Sequence, residues 1–480
     1  MQRIQYTFIT LFLLMASIGS CRKDFLEVVP TGRLIAEKTL DYEQMLNSSE
    51  LTLYSLAPFY AVLGDELVAR DPFFGTRGLK EQRLFRYEND IYNPSDDPTE
   101  LNALTKALYL FNKVINEVMN SKGGTEAQKT AIRAEALTGR AWIYLHFATL
   151  FTRPYNTATA STDLGFPIIR EADINKSPYT RSTVKEHYDF IVGDLVEAIP
   201  ALQSNITSRH RASKAVAAAL LTKTYLAMGR FEDALVASET AMAAIAANTA
   251  QPARLYDYNI ELLVGGVLFS TTMSTTGPAQ PTLPNNIESI YGRQDLNSTT
   301  GGTVNHFALS SSVVALYSPT DLRRRYYNST NLAYPAGLLR RLGPLLQATG
   351  MNLPEIYLMR AECRARANKL YGAGSASEDL LFLRQRRMPA AGAVVPTGLT
   401  QAQMVQFVMD ERLREFAFNG IRWFDMRRMS VDPLFTGRTF THILHFADGT
   451  TQSYPLRPER FALRIPQRIL NDNPGMVDNP

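Results

Sequence analysis

The stretch from Ala212 to Ala247 constrains the chain most. Ala215, Ala219, Leu220 and Leu226 line one face of a helix, Met228-Gly229-Arg230 interrupts it, and Phe231, Ala234, Leu235, Ala241, Met242 and Ile245 line a second. Apolar residues recurring at this spacing bury one stripe of each helix. Alanines let the two backbones approach, and the glycine supplies a turn that a residue with a Cβ makes only under strain. A pair like this cannot bury its apolar face alone, so it must stack on further helices.

More helices are predicted on both sides: Leu101–Asn120, a run from Thr130, Val184–Ile199, Leu353–Lys369 and Ser377–Arg387. In the run from Thr130, Ile132, Ala136, Ile143, Phe147 and Leu150 form the stripe, and Arg153-Pro154 ends it because proline cannot continue a helix. Two helices in 36 residues with a glycine turn look like a tetratricopeptide unit, and such hairpins account for about half of the chain. The rest differs in texture. Thr271 to Asn305 is rich in Thr, Ser, Pro, Gly and Asn and reads as long ordered loops. Arg438 to Leu456 alternates around Asp448-Gly449, the signature of a β-hairpin. The expected fold is therefore mostly α: tetratricopeptide-like helical hairpins with a loop-rich portion and a few short β-hairpins.

The N-terminus is an address rather than part of that fold. Arg3 precedes an apolar run from Phe8 to Ile18, then Gly19-Ser20-Cys21, the layout of a secretory signal peptide. The run is too short to span a bilayer, which takes about 20 apolar residues. Small residues directly before Cys21 resemble a bacterial lipobox, in which the thiol is acylated and becomes the mature N-terminus. Removal of Arg3 with the leader takes the net charge from +4 to +3. With 50 Lys and Arg against 46 Asp and Glu, no basic face for nucleic acid is expected. Two cysteines exclude a disulfide framework and a cysteine-built zinc site.

Motifs for chemistry are missing. No H-E-x-x-H, G-x-S-x-G, phosphate-binding loop or dinucleotide turn occurs, and no carboxylate pair is singled out by spacing. His442 and His445 fall on opposite faces of the expected strand and cannot share a metal. The reading is a protein that is not an enzyme and has no cofactor and no metal. The densest charged motif, Asp410 to Arg428, reads as structural. Glu411 and Glu415 lie one turn apart and pair with arginines of a neighbouring element, Gly420 ends their helix, and Arg422–Arg428 begins another. Trp142, Trp423 and Cys363 are expected in the core.

Four segments, in order along the chain, together resemble the SusD/RagB outer-membrane lipoproteins of Bacteroidetes. They are Ser20-Cys21 through Pro30-Thr31-Gly32; Arg133 to Phe151; Glu411-Arg412 through Arg422-Trp423-Phe424-Asp425-Met426-Arg427-Arg428; and Arg464-Ile465-Pro466-Gln467 with Asn473-Pro474-Gly475 and Asn479-Pro480. Arg153-Pro154-Tyr155-Asn156 stands where the family usually has Gly-x-x-Pro. The resemblance implies a cell-surface lipoprotein that captures a glycan or oligopeptide and delivers it to a SusC-like TonB-dependent transporter. Its implied layout is a signal peptide (1–20), an N-terminal helical region (21–250), a loop-rich ligand-side region (251–345) and a C-terminal region (346–480), forming one structural unit. Lipidation falls on Cys21. Family members that bind glycans stack them on exposed aromatics. With both tryptophans assigned to core helices, the candidate platforms are the loop aromatics Phe73, Phe74 and Tyr92, with His306 and Phe307. The alternative is a helical-repeat adaptor that binds a partner protein and no small ligand.

Overall fold

The computed structural model describes residues 36–52, 56–296, 306–328, 337–342 and 346–480. Cys21 lies outside them. Helices α1 (Thr39–Met45), α2 (Ala57–Leu63) and α3 (Leu79–Phe85) lead into the long pair α4 (Thr99–Glu117) and α5 (Glu126–Phe151). α6 (Val184–Ala198) packs on α5, and the hairpin α7 (Lys214–Ala227) and α8 (Phe231–Ala246) follows. Two single-turn helices, α9 (Tyr258–Glu261) and α10 (Met273–Thr276), punctuate the loop-rich part, as does α11 (Ser311–Val314). The frame closes with α12 (Leu353–Arg366), α13 (Ala376–Arg384), α14 (Gln401–Phe416), α15 (Ile421–Met429) and the short α16 (Gln467–Asp472).

Several helix boundaries follow from capping chemistry. α5 begins at Glu126, before the first residue of its apolar stripe, because Thr125 Oγ1 accepts from the Gln128 amide and the Gln128 side chain accepts from the Thr125 amide. Thr183 with Glu186 and Thr400 with Gln403 repeat the device at α6 and α14. Gly229 at φ 71° makes the α7–α8 turn, and Gly420 at φ 77° separates α14 from α15. α7 is buried on nearly every side, as a central helix must be, and its alanines 215 and 217–219 allow close approach of α8.

The buried C-terminus of α5 shows how the chain ends are sewn together. The carbonyls of its last turn are short of intrahelical donors. Trp423 Nε1 donates to Thr149 O, Arg427 to Ala148 O and Thr152 O, and Asn479 Nδ2 and Arg181 to Phe151 O. The C-terminal motif is therefore a cap for a helix more than 270 residues earlier.

The strands depart from the expected hairpins. β7 (Thr441–His445) and β8 (Thr451–Pro455) do form the hairpin around Gly449, with His442 buried and His445 half-exposed. They join a four-stranded sheet of order β3-β1-β7-β8, in which β1 (Leu67–Arg70) runs parallel to β7 and antiparallel to β3 (Phe307–Leu309). Part of the expected loop 271–305 is strand β2 (Ser289–Leu296), paired antiparallel with β6 (Leu346–Asn352). β4 (Tyr327–Asn328) pairs with β5 (Arg340–Arg341). Those pairings join partners distant in sequence, so no local alternation announces them.

A buried ion network ties the loop-rich part to the helical frame. Glu411 on α14 is fully buried and sits 2.8 Å from Arg323, 2.5 Å from Arg384 on α13 and 2.6 Å from Arg414. Arg323 also forks onto Asp321 at 2.7–2.9 Å and reaches Glu415 at 2.8 Å. Arg387 bridges Glu415 and Glu288 at 2.8 and 2.7 Å. Burial disfavours the charge of Glu411, but Arg323, Arg414 and Arg384 outweigh it and hold its carboxyl well below the usual range. Asp425 is buried likewise, and Arg412 and Arg428 hold it at about 2. A carboxyl whose folded pKa is depressed adds stability above its unfolded value, and that stability is lost as pH falls towards the folded value. Glu411→Gln leaves Arg384 and Arg414 without a carboxylate and should lower the unfolding free energy in urea by about 3–5 kcal/mol at neutral pH. The wild type should lose stability progressively below about pH 4; a flat profile from pH 5 to 2 contradicts the network's role.

Candidate functional site

The sequence-predicted platforms separate into three fates. Phe74 and Phe307 are 1% and 2% exposed and pack with Phe85, ring centres 4.9–6.2 Å apart, so neither can offer a face to a ligand. This corrects the expectation for both: each is a loop residue by sequence but plugs the space between the four-stranded sheet and α3. Tyr92 is half-buried; its hydroxyl is hydrogen-bonded to Glu100, and Lys80 lies 5.7 Å from its ring. Phe73 and His306 are brought together, with His306 Nδ1 2.9 Å from Phe73 O and Arg70 5.7 Å from the Phe73 ring, at one end of β1 and β3.

The loop-rich part also contributes to an open cleft of about 800 Å³, its mouth included. Tyr258 from α9, Tyr326 from the turn Leu322–Tyr326, Tyr327 from β4 and Arg341 from β5 line it, with Gln280, Asn286, Asn352 and Asn419. Each is placed for a local reason. Asp321 caps the 322–326 turn by accepting from Arg323 N at 3.0 Å and then neutralises that residue's guanidinium. Register sets Tyr327 opposite Arg341. The Tyr258 and Tyr326 rings lie 5.9 Å apart at 39°, and Arg387 of the buried network stands 4.4 Å from the Tyr258 ring.

The cleft is polar and pre-shaped. Burial pushes the Tyr326 phenol up to about 12, so it stays protonated and can donate at any physiological pH. Asn352 Oδ1 is buried with no hydrogen-bond partner among the described residues, an acceptor awaiting a donor. Glu288 and Glu415, the two carboxylates lining the cleft, are paired with Arg387 and Arg323. Among the described residues no cluster of His, Cys, Asp and Glu could hold a metal ion. Aromatic faces, amides and a guanidinium can hold a hydroxyl-rich ligand by stacking and hydrogen bonds.

Comparison with known proteins places the chain. A model described as starch-binding, associating with the outer membrane, matches residues 24–226, and the SusD family model matches 349–480. The chain belongs to the SusD/RagB family. A curated relative, SusD-like protein P2 of Formosa agariphila, is 24% identical over 90% of this chain and 91% of its own. Among solved structures, a SusD superfamily protein of Bacteroides thetaiotaomicron shares the fold at TM-score 0.68 and 20% identity, covering 92% of this chain and all of that one. A SusD-like carbohydrate-binding protein of Bacteroides vulgatus does so at TM-score 0.62 and 17% identity, covering 87% and 89%.

The cleft's tyrosines were not singled out from the sequence, although the run Arg323-Arg324-Arg325-Tyr326-Tyr327 is a legible cluster. Its pairing with Arg341 depends on β4 and β5, two residues each, which carry no periodic signal. Cys363 and both tryptophans are buried as expected. Phe74→Ala should cost about 3–5 kcal/mol of stability by urea unfolding, as for a core aromatic. Phe73→Ala should cost far less; equal losses would contradict the separation of these two neighbours.

Proposed function

We propose that the protein is a cell-surface, outer-membrane nutrient-binding lipoprotein that captures a saccharide in the Tyr258–Tyr326–Arg341 cleft and passes it to a SusC-like TonB-dependent transporter. One observation carries this reading. The two family matches, over 24–226 and 349–480, flank the loop-rich stretch that supplies the aromatic and guanidinium lining of the cleft. Similarity to proteins described as starch-binding and carbohydrate-binding supports the ligand class. Binding without turnover fits a cleft whose carboxylates are locked by arginines. Acylated Cys21 attaches the chain to the membrane, and no helix among the described residues is long and apolar enough to cross one.

The test is saccharide binding by the mature protein and its Tyr258→Ala variant. Loss of one stacking ring should weaken binding about fivefold or more, at about 1 kcal/mol or more per stacked ring. An unchanged affinity in the variant would move the site elsewhere. Affinity purification from native outer membranes should recover a large TonB-dependent barrel; recovery of the protein alone would overturn the transporter assignment.

A further inference from the structure

Four guanidiniums beside the cleft are matched by carboxylates. Arg323, Arg384, Arg387 and Arg414 share Asp321, Glu288, Glu411 and Glu415, four cations against four anions. Arg341 stands outside that balance. Among the described residues it makes no ion pair; its hydrogen bonds go to neutral acceptors, Asn419 Oδ1 at 3.1 Å and Phe418 O at 3.4 Å. Its titratable neighbours are Tyr327, Tyr326, Tyr317 and Tyr258, and burial lowers its pKa from the usual arginine value.

The geometry of the free donors is specific. Both protein hydrogen bonds leave from Nη1, so the Nε–Nη2 edge has no partner among the described residues. That edge grips a carboxylate or sulfate through two parallel hydrogen bonds. Withdrawing a cation from water without a partner is costly, and the cost is recovered when an anion arrives. The nearby Tyr258 and Tyr326 rings and the unpartnered Asn352 Oδ1 supply what a sugar ring and its hydroxyls need.

We propose that the cleft is selective for an acidic saccharide, with Arg341 gripping a ring carboxylate or sulfate ester while the tyrosines hold the sugar face. This rests on the cleft being the ligand site. The test is calorimetric titration of the full mature chain with three probes: oligogalacturonate, a sulfated oligogalactan and a neutral oligogalactan. The wild type should bind one anionic probe at least about tenfold tighter than the neutral one, with affinity falling as salt rises. Which probe wins distinguishes carboxylate from sulfate. Arg341→Gln should erase the preference, and Arg341→Lys should restore only part of it, because an ammonium lacks the fork. Equal binding of neutral and anionic probes, sensitive to Tyr258→Ala and not to Arg341→Gln, overturns the acidic preference and leaves the cleft as the site. Binding indifferent to both substitutions overturns the cleft reading itself. Failure of the wild type to bind either anionic probe overturns the proposal.

Discussion

The arrangement of the tyrosine-lined cleft hangs on the fully buried carboxylate of Glu411. A single charged oxygen pair in the interior would be intolerable alone. Surrounded by Arg323, Arg384 and Arg414, it is stable only while the turn 322–326, α13 and α14 occupy one mutual arrangement. Replacing such a cluster by apolar side chains can leave stability unchanged, so its value here lies in geometry. α14 packs against α12. The forked pairs Arg323–Asp321 and Arg387 with Glu288 and Glu415 tie the loop-rich part to that pair, and Tyr258, Tyr326 and Tyr327 stand around an opening beside them.

The helical frame was legible because its signals are local. Capping boxes, alanine stripes, Gly229, Gly420 and Arg153-Pro154 each act within a few residues, and the structure places helix ends close to where those residues require. The arginine–carboxylate reading of Asp410–Arg428 held for the same reason: Glu411 and Glu415 lie one turn apart and could only face a neighbour together. What failed was anything set by distant pairing. Phe74 and Phe307 sit in loop-like sequence yet close a core, because β1 joins β3 and β7 across hundreds of residues. The strand β2 lay hidden in a Thr- and Gly-rich stretch; Gly350 at φ 91°, where a Cβ would meet Tyr291 O at 2.0 Å, is the only local trace of its close pairing with β6.

This division mirrors the functional one. The parts that identify the family are those with local signals, and they build the frame. Trp423, Arg427 and Asn479 lie in a segment that matches the family, they complete the buried end of α5, and none of them lines the cleft. The tyrosines and Arg341 of the cleft come from short strands and turns between the matched segments. A ligand preference proposed for them has to be read from charge balance and open hydrogen-bond capacity.

The most direct measurement is hydrogen–deuterium exchange of the mature protein with and without a bound saccharide. The account predicts slowed exchange in peptides covering 256–261, 322–328 and 339–342, with the sheet end around Phe73 and His306 unchanged. Protection confined to residues 70–76 and 306–309, with none at the tyrosine cleft, would contradict it.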